Sequence, residues 1–280
     1  MKKKTVIITG ASGGFGKVFT KMFLQAGYHV IATIRDTAKK NLVLSGITTE
    51  ESQHLSIQML DVTDRTSVQQ FEKFVQSLDS VDVLINNAGF AVAGFAEELT
   101  DGEYLLQFET NLFGVTRITN IVLPIMRRQQ QGRIINISSI SGLVGFPGLS
   151  PYVASKHALE GYSESLRLEL KPFGIDVVLV EPGSFQTNIW SSGTHMSPRA
   201  GQQQSPYYQT FQQLNLRIQK DSKNYGNPEE VGKLVLNIAR SKNTPALRYT
   251  IGKGVKLTLF LKHLLPWKLW EKLVLKQLSK

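Results

Sequence analysis

Tyr152 and Lys156 stand four residues apart in "YVASK", and Ser139 lies 13 positions before the tyrosine. The stretch from 138 to 156 contains no histidine, cysteine or carboxylate, so any acid or base it supplies is a phenol or an amine. On a helix, a spacing of four places both side chains on one face, one turn apart. A lysine ammonium beside a phenol stabilises the phenolate and draws the tyrosine pKa down toward the working pH. The phenol then serves as general acid or base. A serine hydroxyl such as Ser139 can donate a hydrogen bond to an oxygen on which negative charge develops.

A second stretch with chemical content is "TGASGGFG", residues 9 to 16. Gly10, Gly14 and Gly16, with Ser12 and Phe15 between them, form a turn in which backbone N–H groups can approach a pyrophosphate at a helix N-terminus. The spacing is G-x-x-x-G-x-G, and a tight turn without a ligand would use the same glycines.

The elements that must position these residues are legible as an alternation. Residues 5–9, 29–34, 55–60, 81–86, 133–138, 176–181 and 247–251 read as seven strands, most of them apolar almost throughout, as in parallel strands covered on both faces. Segments 16–26, 64–78, 103–128, 152–171 and 228–241 supply crossover helices. The pattern predicts a single-domain, doubly wound α/β fold with a parallel sheet of about seven strands.

In this order the motifs resemble those of the short-chain dehydrogenase/reductase superfamily over about residues 4 to 252, nearest in look to its hydroxysteroid and retinol dehydrogenase-like branch. The T-G-x-x-x-G-x-G turn is Thr9 to Gly16, the acidic adenine contact is Asp61 with Val62, and "NNAG" holds Asn87, Ala88 and Gly89. Y-x-x-x-K is Tyr152 to Lys156, and "PG" followed by threonine is Pro182, Gly183 and Thr187. The resemblance implies a Rossmann-type fold, a nicotinamide cofactor held by these residues, and catalysis by Asn111, Ser139, Tyr152 and Lys156. It selects Ser139 over Ser138 and Ser141 by its distance from the tyrosine. Lys156 would also hold the nicotinamide ribose, and Asn111 would anchor a water in a proton relay to that lysine. The resemblance further implies a homo-oligomer, with a dimer favoured.

The end of the second strand chooses the cofactor. An adenosine ribose with free hydroxyls calls for a carboxylate there. This chain has Ile34, followed by Arg35, whose guanidinium pairs with a 2′-phosphate, so the expected cofactor is NADP(H). Asp36 is near enough in sequence to reach the ribose after a small register shift. A sensor or scaffold of the same fold would need the phosphate turn but not the acid, so the intact set of four favours an enzyme.

Composition removes other classes. No cysteine is present, which excludes disulfides and thiolate chemistry and fits a reducing cytoplasm; no metal site is expected. The opening "MKKKTVIITG" has too short an apolar run for an export signal. The net charge of +10 raises nucleic acid as a partner, but no recognition module accompanies it, and none is expected. Residues 1–255 form the catalytic unit. Within it, 184–226 is a substrate lid carrying Phe185, Trp190, Tyr207, Tyr208 and Phe211, which points to an apolar carbonyl or alcohol, steroid-like, retinoid-like or another lipid. Residues 256–280 read as a basic amphipathic extension, with Trp267, Trp270, Leu273, Val274 and Leu278 on one face and Lys268, Lys272, Lys276 and Lys280 largely opposite. Such a face suits a membrane interface, the pocket mouth or another subunit.

Overall fold

A computed structural model of the protein describes residues 3–187, 189 and 193–278. Trp190 and Lys280, named above, lie outside the described residues, as does the side chain of Leu278. The apolar runs lie side by side as β1 (Thr5–Ile8), β2 (His29–Ile34), β3 (Leu55–Met59), β4 (Val83–Asn86), β6 (Gly132–Ile137), β7 (Ile175–Pro182) and β9 (Arg248–Ile251). Among the described residues they form one parallel sheet of seven strands, in the order β3-β2-β1-β4-β6-β7-β9. Two three-residue strands, β5 (Ala91–Ala93) and β8 (Thr194–Met196), pair apart from it.

Strand geometry explains why these runs are apolar on both sides. Successive side chains point to opposite faces, so in β1 Val6 and Ile8 enter one core while Ile7 enters the other. All three are fully buried, worth roughly 1.5–3 kcal/mol each. On the first face α1 (Gly14–Gln25) buries Phe19 and Phe23 and crosses α9 (Pro228–Arg240) at Gly232, where an added Cβ would lie 2.5 Å from the Met22 sulfur. On the second face α4 (Arg65–Gln76), α6 (Val115–Gln129) and α7 (Ser150–Leu170) bury Phe71, Ile118, Val122 and Leu166. The short α2 (Lys40–Leu44) and α3 (Thr49–Ser52) complete the β2 to β3 crossover.

One predicted helix is not continuous. In place of 103–128 the chain forms α5 (Asp101–Phe108), a π-helical turn (Glu109–Gly114) and then α6. After β8 come α8 (Tyr208–Ser222) and α9, and after β9 come α10 (Val255–Leu264) and α11 (Trp267–Leu278), divided at Pro266. Because the main strands are parallel, their C-terminal ends share one edge of the sheet. Connections leave β1 and β4 in opposite directions there, which opens a crevice between them.

Candidate active site

The residues following β6 and the first turns of α7 meet at that edge. Ser139 and Tyr152 are hydrogen-bonded through their side chains, and Ser139 Oγ also accepts from the Ser141 amide at 3.1 Å. Lys156 Nζ lies 5.7 Å from the Tyr152 ring centre and donates to the Ile137 carbonyl at 2.8 Å. Tyr152 is 3 % and Lys156 7 % exposed. The neighbouring Ser138 hydroxyl is buried on the other side, close to Gly142 and Glu160.

Burial sets the charges of this group. It pushes the Tyr152 phenol up to about 12, with the Ser139 hydrogen bond acting in the opposite sense. It also draws the Lys156 amine down to about 8, opposed by the Glu160 carboxylate. In place of the lowering that the spacing predicts, burial is the dominant influence on the phenol in this chain.

Asn111 sits in the π-helical turn, a deviation that often re-aims a side chain at a functional site. Its Nδ2 donates to the Phe90 carbonyl at 3.1 Å and to Ser155 Oγ at 3.2 Å, and its Oδ1 accepts from the Phe90 amide at 3.3 Å. Ser155 lies between Tyr152 and Lys156 on α7, so Asn111 is tied to the helix that bears them. Sequence reading missed Ser155 and the Phe90 and Ile137 carbonyls, since backbone acceptors leave no trace in residue identity.

The glycine turn has the form of an anion cradle. No side chain caps α1 at Gly13, so its first N–H groups face outward from a helix N-terminus. Asn87 Nδ2 donates to the Thr9 and Gly10 carbonyls at 2.9 and 3.1 Å, and the Asn87 and Ala88 amides donate to Thr9 Oγ1 at 2.9 and 3.0 Å. Thr9 thus clamps β1 to β4, a role its motif position did not disclose. A Cβ at Gly16 would lie 2.3 Å from the Gly10 carbonyl oxygen, and Gly10 adopts φ +67°, so both positions require glycine. At Gly13 no atom lies within 4 Å of that point, which leaves one face of the turn open to a ligand. Phe15 turns its ring away from the crevice, onto Phe19 and Phe185, so only its backbone can meet a cofactor.

Other expected contacts rim the crevice. Arg35 is exposed just past β2, while Asp36 Oδ1 accepts from the Ala38 amide at 2.9 Å and caps a short turn. Asp61 Oδ1 accepts from Thr63, and Val62 packs against Gly114 in the π-helical turn. Pro182 ends β7, the Gly183 amide donates to Ile251 at 2.8 Å, and Thr187 lies over Gly14. The cradle, a buried hydroxyl pair and the exposed Arg35 guanidinium thus fit a phosphorylated dinucleotide.

The lid aromatics divide. Phe185 is buried against Phe15 and Gly226, so it fastens the segment to the sheet instead of lining a pocket. Tyr207 stacks on Phe95 at 4.3 Å, Phe211 covers Gly201, and Tyr208 is half-buried at the start of α8. Behind Lys156, an acidic cluster escaped sequence reading. Arg248 contacts Glu160 at 3.0 Å, Glu164 at 2.8 Å and the fully buried Glu181 at 3.6 Å. Burial and then Glu160 push the Glu181 carboxyl up to about 8, against the pull of Arg248.

Residues 4–197 match the family model described as short chain dehydrogenase. The chain is 45% identical to the oxidoreductase YusZ of Bacillus subtilis over 279 residues, covering 99% of each. It is 38% identical to a 3-ketodihydrosphingosine reductase of Bacteroides thetaiotaomicron over 258 residues, covering 92% of this chain and 91% of the relative. The solved structure of ElxO with NADP bound superposes with a TM-score of 0.75 at 28% identity, covering 91% of this chain and all of the other. With the glycine turn at β1 and the serine, tyrosine and lysine gathered at β6 and α7, the chain belongs to the short-chain dehydrogenase family.

Proposed function

We propose that the protein is an NADP(H)-dependent oxidoreductase that interconverts a carbonyl and a secondary alcohol on an apolar molecule. The observation that carries this reading is the buried Ser139–Tyr152 hydrogen bond with Lys156 beneath it, at the edge of the crevice where the glycine turn opens. NADP bound to ElxO supports the cofactor. In this chain the α1 N-terminus, Asn87 to Gly89 and Thr187 would hold the dinucleotide, with Arg35 on its 2′-phosphate and Asp61 and Val62 at its adenine. When bound, NADPH supplies hydride to the carbonyl carbon.

The chain's own residues do the rest. Ser139 donates to the carbonyl oxygen and fixes its position. Tyr152, kept protonated by burial, gives its proton to that oxygen as charge develops there. Lys156, anchored to Ile137, holds its ammonium below the phenol and stabilises the phenolate left behind. Asn111 fixes the turn of α7 between them through Ser155.

The apolar substrate is supported by the Phe95–Tyr207 stack beside the lid and by the relative named for 3-ketodihydrosphingosine, a ketone. The general look of "TIRD" and of the lid supports a kinship with the hydroxysteroid and retinol dehydrogenase-like branch. Exposed Leu105, Leu106, Phe113 and Leu168 on α5, the π-helical turn and α7 support a homodimer through those elements, and the cysteine-free chain suits the cytoplasm. NADPH consumption with ketones and aldehydes graded from small and polar to long and apolar tests the proposal, with NADH in parallel. Turnover rising with chain length and confined to NADPH supports it; turnover of small polar carbonyls alone rejects the apolar substrate.

A further inference from the structure

The two C-terminal helices present exposed apolar surface. Leu257, Phe260, Leu264, Trp267, Leu269 and Leu275 are each 51 to 63 % exposed. Large apolar side chains scattered singly are ordinary, but six within nineteen residues mark a docking surface. Leu257, Phe260 and Leu264 fall at i, i+3 and i+7, hence on one face of α10, and Trp267 continues from them at the start of α11. The face expected from the sequence divides: Trp267 is exposed with this row, while Trp270 is buried, Leu273 and Val274 are half-buried, and α11 packs on α8.

Charge selects the occupant. Lys256, Lys262, Lys268, Lys272 and Lys276 are interspersed with these residues along the two helices, and Glu271 is the single acid from 256 to 276, which gives 5 − 1 = +4. Lys262 Nζ lies 4.2 Å from the Trp267 ring centre, a cation held at the margin of an aromatic side chain. A second copy docking about a two-fold axis would set these lysines against their equivalents. A nucleic acid would meet the lysines and leave Leu257, Phe260 and Leu264 in water.

We propose that this face docks on a lipid bilayer bearing anionic headgroups, the α10 row dipping into the acyl boundary and the lysines resting among the headgroups. No described helix is long and apolar enough to cross a membrane, so the contact is peripheral. It also places the lid close to the lipid. α8, on which α11 packs, directs Leu214 toward Gly148 in the loop that leads into α7. If the catalytic reading above holds, an apolar substrate then passes from lipid to site without crossing open water.

Co-sedimentation of the full chain with phosphatidylcholine vesicles, with and without phosphatidylglycerol, tests the docking. It needs neither NADPH nor substrate, so it stands or falls apart from the catalytic reading. Binding is expected to be about tenfold or more tighter on the anionic vesicles and to weaken as salt rises. The double variant Phe260→Ser/Leu264→Ser should bind about tenfold or more weakly at unchanged Tm. Lys268→Gln/Lys272→Gln should lose the preference for anionic lipid while keeping weak binding to neutral vesicles. Equal binding to both vesicle types, or undiminished binding by both variants, overturns the proposal. So does a dimer, seen by light scattering, that Phe260→Ser/Leu264→Ser dissociates, since it assigns the face to a second copy.

Discussion

Lys156 is held beneath Tyr152 by the carbonyl of Ile137: its Nζ donates to that oxygen at 2.8 Å and stands 5.7 Å from the ring centre. The anchor belongs to β6, the strand that also delivers Ser139. Proton donor and cation are therefore positioned by one strand and one helix.

Burial leaves the phenol protonated, with a pKa of about 12, and the amine near 8. Carbonyl reduction is then expected to hold level up to about pH 8 and to fall above it as Lys156 loses its charge. In Lys156→Met the rate should be low and free of that limb. A variant whose pH profile keeps the limb would assign it to another group.

Arg35 stands exposed at the end of β2 without a protein partner among the described residues, and Asp36 is occupied by the Ala38 amide. Arg35→Ala is expected to raise the KM for NADPH by about 10- to 100-fold, the range of a charge-assisted hydrogen-bonded pair, and to leave the KM for NADH within about twofold. Steady-state kinetics with both cofactors measures the difference.

Two glycines of one turn should behave differently. A Cβ at Gly16 meets the Gly10 carbonyl at 2.3 Å and Asn87 Nδ2 at 2.8 Å, so Gly16→Ala is expected to cost about 1–3 kcal/mol, read as a lower Tm. At Gly13 the same atom meets nothing within 4 Å, so Gly13→Ala should leave stability within about 0.5 kcal/mol and weaken NADPH binding instead.

Glu181 carries the clearest stability signature. Its folded pKa is raised to about 8, so the stability it contributes is present below its ordinary range near 4.5 and is lost as pH rises toward 8. Wild-type Tm is expected to decline across that window, and Glu181→Gln, which cannot ionise, to flatten the decline. Thermal melts of both proteins between those limits decide the matter.

The sheet was legible because parallel strands covered on both faces leave continuous apolar runs, of which "TVII" and "VDVLIN" are examples. Tyr152, Lys156 and Ser139 were legible because residue type and spacing alone restrict their chemistry. The π-helical turn was hidden: apolar periodicity continues through 109–114, and the wider turn depends on Asn111 finding the Phe90 backbone across space. For the phenol, spacing reveals the nearby ammonium but not the depth of burial that raises its pKa in this chain. The tail's covering was left open for a related reason, since a helical pattern identifies two faces without saying which of them α8 covers.

The central claim is that Tyr152 gives the proton. Turnover of NADPH with the best carbonyl substrate, compared between wild type and Tyr152→Phe while cofactor binding is followed by NADPH fluorescence, tests it most directly. The phenylalanine variant should bind NADPH as the wild type does and lose about a hundredfold or more in kcat. A variant that keeps more than about a tenth of wild-type kcat would show that the proton comes from elsewhere.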